Sequence, residues 1–162
     1  MPRSFFAIAV VALGVIGAAF GQVTSADQTM PVKVFRPDTN LFGPQQAEFD
    51  QSMKEVLFDF DTHETATDEA ALRSNVQWLK DHPQARFYIE GYTDYRGDVV
   101  YNLALAQRRA ETVRANLLDR GISADQIILT VGWGELYPPC VEQTESCWEK
   151  SRRVRFVYAP IY

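Results

Sequence analysis

The chain has 162 residues, enough for one ordinary domain and a tail but not for two sizeable domains. Its 46% hydrophobic content, with ten Phe, seven Tyr and three Trp, is that of a packed globular protein and excludes a disordered one. A formal net charge of -5 argues against nucleic acid or another polyanion as a partner. Local basic clusters (Arg108, Arg109 and Arg114; then Lys150, Arg152, Arg153 and Arg155) can still hold a small carboxylate.

Arg3 is the only charge before Asp27, and the run from Phe5 to Phe20 has no polar side chain. A basic start, an apolar stretch and small residues at Ala19 and Gly21 read as a secretory signal peptide over residues 1–21. Cleavage after Ala26 is a second option, and an uncleaved membrane anchor over residues 5–26 is the competing reading. Either reading takes the remainder out of the cytosol. No Cys lies near the end of the stretch, so a lipid-anchored start is not supported.

Residues 22–54 read as a linker, with Pro31, Pro37, Asn40 and Gly43 and little periodicity. A short helix between Gln45 and Glu55 is compatible with Phe49, Met53 and Val56 at helical spacing. Val56–Phe60 reads as a strand. A helix is expected from Thr67 as N-cap, with Leu72, Val76 and Leu79 as its apolar stripe and Pro83 past its end. Arg86–Gly91 alternates like a half-buried strand. The clearest helix carries Leu103, Ala106, Ala110, Val113 and Leu117 at steps of three and four and stops at Gly121. Ile127–Val131 and Val154–Tyr158 read as strands, with a loop or helical turn between them. The order β-α-β-α-β-β implies an α/β (α+β) sandwich: a mixed sheet of about four strands with two main helices on one face, spanning residues 55–159.

Cys140 and Cys147 enclose a short loop in an exported chain, which favours a structural disulfide over a metal or redox site. His63 and His82 are far from them in sequence and read as surface residues. Trp78, Trp133 and Trp148 read as packing anchors, and Arg153 and Arg155 as a solvated strand face.

The informative segment is Gly91-Tyr92-Thr93-Asp94-Tyr95-Arg96-Gly97, followed by the helix through Asn102 and Arg109. Asp94 lies in a loop between a strand and a helix, where function concentrates. Asn102 and Arg109, seven apart, lie on one line of the helix. A loop carboxylate and a helix guanidinium facing one pocket would complement a free amino-acid end, ammonium on Asp94 and carboxylate on Arg109. From spacing alone, a plain Asp94–Arg109 salt bridge tying loop to helix is an equal reading.

These segments, with Leu57-Phe58-Asp59-Phe60-Asp61 and Arg152-Arg153-Val154, make the chain resemble the OmpA-like peptidoglycan-binding domain of Pal lipoproteins, OmpA C-terminal domains and flagellar stator proteins. The resemblance covers about residues 55–159. It implies noncovalent binding of the diaminopimelate-type amino acid of the peptidoglycan stem peptide, without cofactor or turnover. It places the ammonium on Asp94 and the carboxylate on Arg109, adds Asn102, Arg152 and Asp61 to the pocket wall, and makes Thr93 a weaker candidate. It implies a periplasmic, outer-membrane-associated location, with envelope proteins as further partners. Tyr92, Ala106 and Ser151 depart from the family's usual His, Ser or Gly, and Asn. The Cys140–Cys147 loop is expected to have no bearing on the pocket.

Two rival functions fit parts of the sequence less well. A cell-wall hydrolase could use Asp59 and Asp61 as paired carboxylates, but no nucleophile with an oriented base and no metal-ligand set accompanies them. A stator subunit would carry an acidic residue in its membrane helix, and Phe5 to Phe20 has none.

Overall fold

The computed structural model describes residues 43–64 and 68–159. The expected signal peptide or anchor, most of the linker and the Thr67 N-cap lie outside the described residues. The elements in chain order are α1 (Pro44–Ser52), β1 (Val56–Leu57), α2 (Glu69–Asp81), β2 (Arg86–Gly91), α3 (Val99–Asp119), a 3-10 turn (Ala124–Gln126), β3 (Ile127–Gly132), α4 (Glu145–Ser151) and β4 (Arg153–Ala159). One four-stranded mixed sheet has the order β1-β4-β2-β3, with β2 parallel to β3 and β4 antiparallel to both β1 and β2. This is the expected α/β fold, with two short helices added to the two main ones.

Apolar periodicity explains the core. Leu72, Val76 and Leu79 of α2 and Ala110, Val113 and Leu117 of α3 meet Phe87 and Ile89 of β2 and Val154 and Phe156 of β4. Phe49 of α1 is fully buried against Trp78, Phe87 and Tyr158, at ring distances of 5.5, 6.0 and 5.6 Å. The short helix expected within the linker thus contributes to the core. Buried Asn75 then pins the chain where it enters β1, accepting from the Lys54 N–H at 2.8 Å and donating to its carbonyl at 2.7 Å.

Three details differ from expectation. The cap of α2 is Asp68, whose side chain accepts from the Ala71 N–H; with Glu69 behind it, negative charge sits at the helix's positive end. The ladder of β1 stops at Leu57, because the carbonyls of Phe58 and Asp59 are taken by arginine side chains and Asp61 adopts φ 55°. The buried stripe of α3 runs Asn102, Leu105, Ala106, Arg109, Ala110, Val113, Leu117, so Leu103, at its edge, is 38% exposed. Two polar residues thus stand where a purely structural helix would carry apolar ones.

Topology gathers the interesting segments at one edge. The parallel strands β2 and β3 end together, Gly91 opposite Gly132. Because β4 runs antiparallel to β2, its start at Arg153 and Val154 lies beside that end, and the Tyr92 N–H donates to the Arg153 carbonyl. Because β1 runs antiparallel to β4, its exit lies there too, and the Phe58 N–H donates to the Arg152 carbonyl.

Candidate functional site

At this edge lies a cavity of about 150 Å³. Its lining includes all six residues singled out from the sequence: Asp61, Thr93, Asp94, Asn102, Arg109 and Arg152. Phe60, Arg96, Gly97, Tyr101 and Leu105 complete it. Three arginines face two aspartates, so the lining is formally cationic by one unit.

Asp94 and Arg109 do not pair. The ion pairs of Asp94 are with Arg96 at 2.8 Å and Arg152 at 3.3 Å, which removes the reading of a plain Asp94–Arg109 bridge. Asp94 Oδ1 accepts from the Arg96 backbone N–H and from Arg96 Nε; Oδ2 accepts from Arg96 Nη2 and Arg152 Nη1. Burial works against the charge of Asp94, but the Arg96 hydrogen bonds outweigh it, with Arg152 helping, and its carboxyl is held below the ordinary value.

Arg109 is fully buried, and its hydrogen bonds among the described residues all go to backbone carbonyls. Its Nε donates to the Thr62 carbonyl at 2.8 Å, Nη1 to the Tyr92 carbonyl at 2.8 Å and Nη2 to the Asp59 carbonyl at 2.9 Å. Three of the five guanidinium N–H groups are thereby used. The other two have no acceptor among the described residues. Burial, then the charge of Arg152, lowers its pKa to about 10, so the group stays cationic at neutral pH. A buried cation without a contacting carboxylate costs free energy unless an anion joins it.

Arg152 is the bracket between strand ends. Its Nε donates to the Phe58 carbonyl at 3.1 Å, Nη1 reaches Asp94, and Nη2 pairs with Glu145 at 2.9 Å. Asn102 acts on the loop's shape: its Nδ2 donates to the Arg96 carbonyl at 3.2 Å, the Asp94 carbonyl at 3.4 Å and Glu135 Oε2 at 2.8 Å. Thr93 is buried, and its hydroxyl finds no hydrogen-bond partner among the described residues. Asp61, at the mouth, accepts from the Tyr101 hydroxyl. Tyr92 stays out of the cavity; its ring lies under Arg153 and its hydroxyl donates to Glu90 at 2.6 Å.

Arg96 lies in the informative segment, but its part in the site is not among the sequence expectations. Its guanidinium lies 4.1 Å from the Phe60 ring centroid and 4.2 Å from that of Trp148. The available signal was local: an Asp followed two residues on by a donor and then Gly is turn chemistry, realised here as the Arg96 N–H to Asp94 Oδ1 bond. The disulfide Cys140–Cys147 forms as expected, with a Cα–Cα distance of 5.8 Å. Its expected irrelevance to the pocket is overturned. Cys147 sits in α4, and α4 supplies Glu145 and Trp148 to Arg96 and Glu145 to Arg152. Arg153, expected in solvent, is buried and pairs with Glu55 at 3.2 Å.

The fold and the site together define an α/β domain with a small, charged cavity where the strand ends of its sheet meet. The OmpA family model matches residues 41–152, and the chain belongs to the OmpA family. It is 37% identical over 99 residues to the peptidoglycan-associated lipoprotein of Brucella melitensis, a match covering 60% of this chain and 58% of that protein. It is 34% identical over 117 residues to the peptidoglycan-associated lipoprotein of Haemophilus influenzae, covering 72% and 76% of the two chains. The crystal structure of the peptidoglycan-associated lipoprotein from Burkholderia pseudomallei superposes with a TM-score of 0.61 at 39% identity, over 65% of this chain and 90% of that one. The C-terminal domain of Helicobacter pylori MotB shares the fold, with a TM-score of 0.56 at 16% identity.

Proposed function

We propose that this chain is a non-enzymatic envelope protein whose cavity binds the diamino acid of a peptidoglycan stem peptide. Arg109 takes the free carboxylate and Asp94 the ammonium. The observation that carries the reading is Arg109 itself: a buried guanidinium at a cavity wall, oriented by three carbonyls, with two N–H donors that find no acceptor among the described residues. That arrangement suits two parallel hydrogen bonds to one carboxylate. The Thr93 hydroxyl offers a further polar contact, and Asn102, Arg152 and Asp61 complete the wall. The names of relatives in Brucella and Haemophilus point to the same polymer.

Binding without turnover fits the lining. Asp94 is held ionised by two arginines, which suits an ammonium and not a general acid. Neither His63 nor His82 lines the cavity, and both cysteines are joined to each other. A periplasmic location at the outer membrane is part of the proposal, supported by the lipoprotein names of the relatives; among the described residues no helix is long and apolar enough to cross a membrane. Cosedimentation with purified sacculi tests the proposal. Wild type is expected in the pellet and folded Asp94→Asn in the supernatant; equal pelleting of both, or release of soluble muropeptides by wild type, would overturn it.

A further inference from the structure

The carboxylate meant for the ligand's ammonium is already full. A carboxylate offers about four lone-pair directions, and Asp94 receives four donors: two from the Arg96 side chain, one from the Arg96 backbone and one from Arg152. An ammonium can reach Asp94 only if a side-chain donor leaves. Arg152 is the poor candidate. It is 7% exposed at its side chain and is also fastened to the Phe58 carbonyl and Glu145. Arg96 is 29% exposed at its side chain, and that side chain makes no other hydrogen bond among the described residues. Its Nη1 already stands 3.6 Å from Glu145, which is 62% exposed, and the next residue, Gly97, has φ 105°.

We propose that Arg96 is a built-in competitor for the ammonium subsite, and that ligand binding transfers its guanidinium from Asp94 to Glu145. The inference rests on the binding role given above to Asp94. Arg96 stands in for the ligand's cation: it pairs with the buried carboxylate of Asp94 and must be displaced by anything that takes its place. The rings of Phe60 and Trp148 hold the guanidinium while it changes partner. Only ligands carrying an ammonium beside the carboxylate can make the exchange favourable, so Arg96 sets specificity while lowering apparent affinity.

The test is calorimetric titration of the full chain with meso-diaminopimelate, using wild type, Arg96→Ala and Arg96→Gln, each checked for folding by thermal melting. The Gln variant serves if the Ala variant fails to fold. Removing the competitor is expected to tighten binding roughly three- to tenfold. In nitrogen-15 spectra of wild type, the Arg96 Nε–Hε signal, identified by its loss in the variants, is expected to move on saturation with ligand. Equal or weaker binding by the variants, or an unmoved signal, would overturn the inference while leaving the binding role intact. Absence of binding by wild type and variants alike at millimolar ligand would remove the binding role, and this inference with it.

Discussion

A methyl group placed on Gly91 would meet the Ala106 carbonyl oxygen of α3 at 1.9 Å. The approach is repeated at Gly132, where a Cβ would lie 2.4 Å from the Gln107 backbone nitrogen. These two glycines end the parallel strands and let α3 settle onto them, which brings Asn102 and Arg109 over the loop that carries Asp94. Both obstacles are backbone atoms, which cannot rotate away. Gly91→Ala is therefore expected to cost about 2 kcal/mol or more in chemical denaturation and to weaken ligand binding in the protein that still folds.

Arg109 has a structural duty beside its proposed one, and the two must be separated experimentally. Arg109→Ala removes the donors for the carbonyls of Asp59, Thr62 and Tyr92. Leaving buried acceptors unmatched is expected to cost roughly 2–4 kcal/mol in urea denaturation. Arg109→Lys keeps the charge but lacks the fork that spans three carbonyls, and is expected to lose both stability and binding. A loss of binding in either variant thus says less about ligand contact than a loss in Asp94→Asn.

Asp94 predicts the acid limb of stability. Its folded pKa lies below the ordinary 3.8, so the unfolded chain takes up the proton first as pH falls. Its contribution is complete above the unfolded value of about 3.9 and is lost as pH drops through the folded one. Glu69 shifts the same way through its hydrogen bonds from Arg120. Wild-type stability is expected to decline below about pH 4. Asp94→Asn should be less stable than wild type at pH 7 and decline less steeply in acid. Urea midpoints measured from pH 2 to pH 7 check both.

The disulfide supports the site through α4. Closing so short a loop contributes roughly 2–3 kcal/mol on the chain-entropy account. Cys140→Ser/Cys147→Ser is expected to lose about that much, with the loss concentrated in α4, which carries Glu145 and Trp148. Hydrogen exchange should show the amides of residues 145–151 opening faster in the variant while those of β2 stay protected. Unchanged exchange in α4 would contradict the support role.

Much of this was readable from residue order. The spacing of Asn102 and Arg109 put both on one helix line, alternation located β2, and the short cysteine spacing gave the disulfide. Where the reading failed, the cause was contact between distant segments. Leu57 to Phe60 has strand-like composition, yet β1 ends early because Arg109 and Arg152, 47 to 94 residues away, take its carbonyls and that of Thr62. Arg153 looked like a solvated strand residue because Glu55 and Tyr92 are its neighbours only in space. Glu145 and Trp148 join the site for the same reason. The Asp94–Arg96 pair, only two residues apart, depends on a turn whose shape is set by Asn102 from α3.

The central claim is that Asp94 and Arg109 form the two ends of one amino-acid site. It is tested most directly by calorimetric titration of meso-diaminopimelate into wild type and Asp94→Asn at neutral pH, with folding of both confirmed. Wild type is expected to bind, and Asp94→Asn to bind roughly tenfold or more weakly. Equal affinity in the two proteins would contradict the claim.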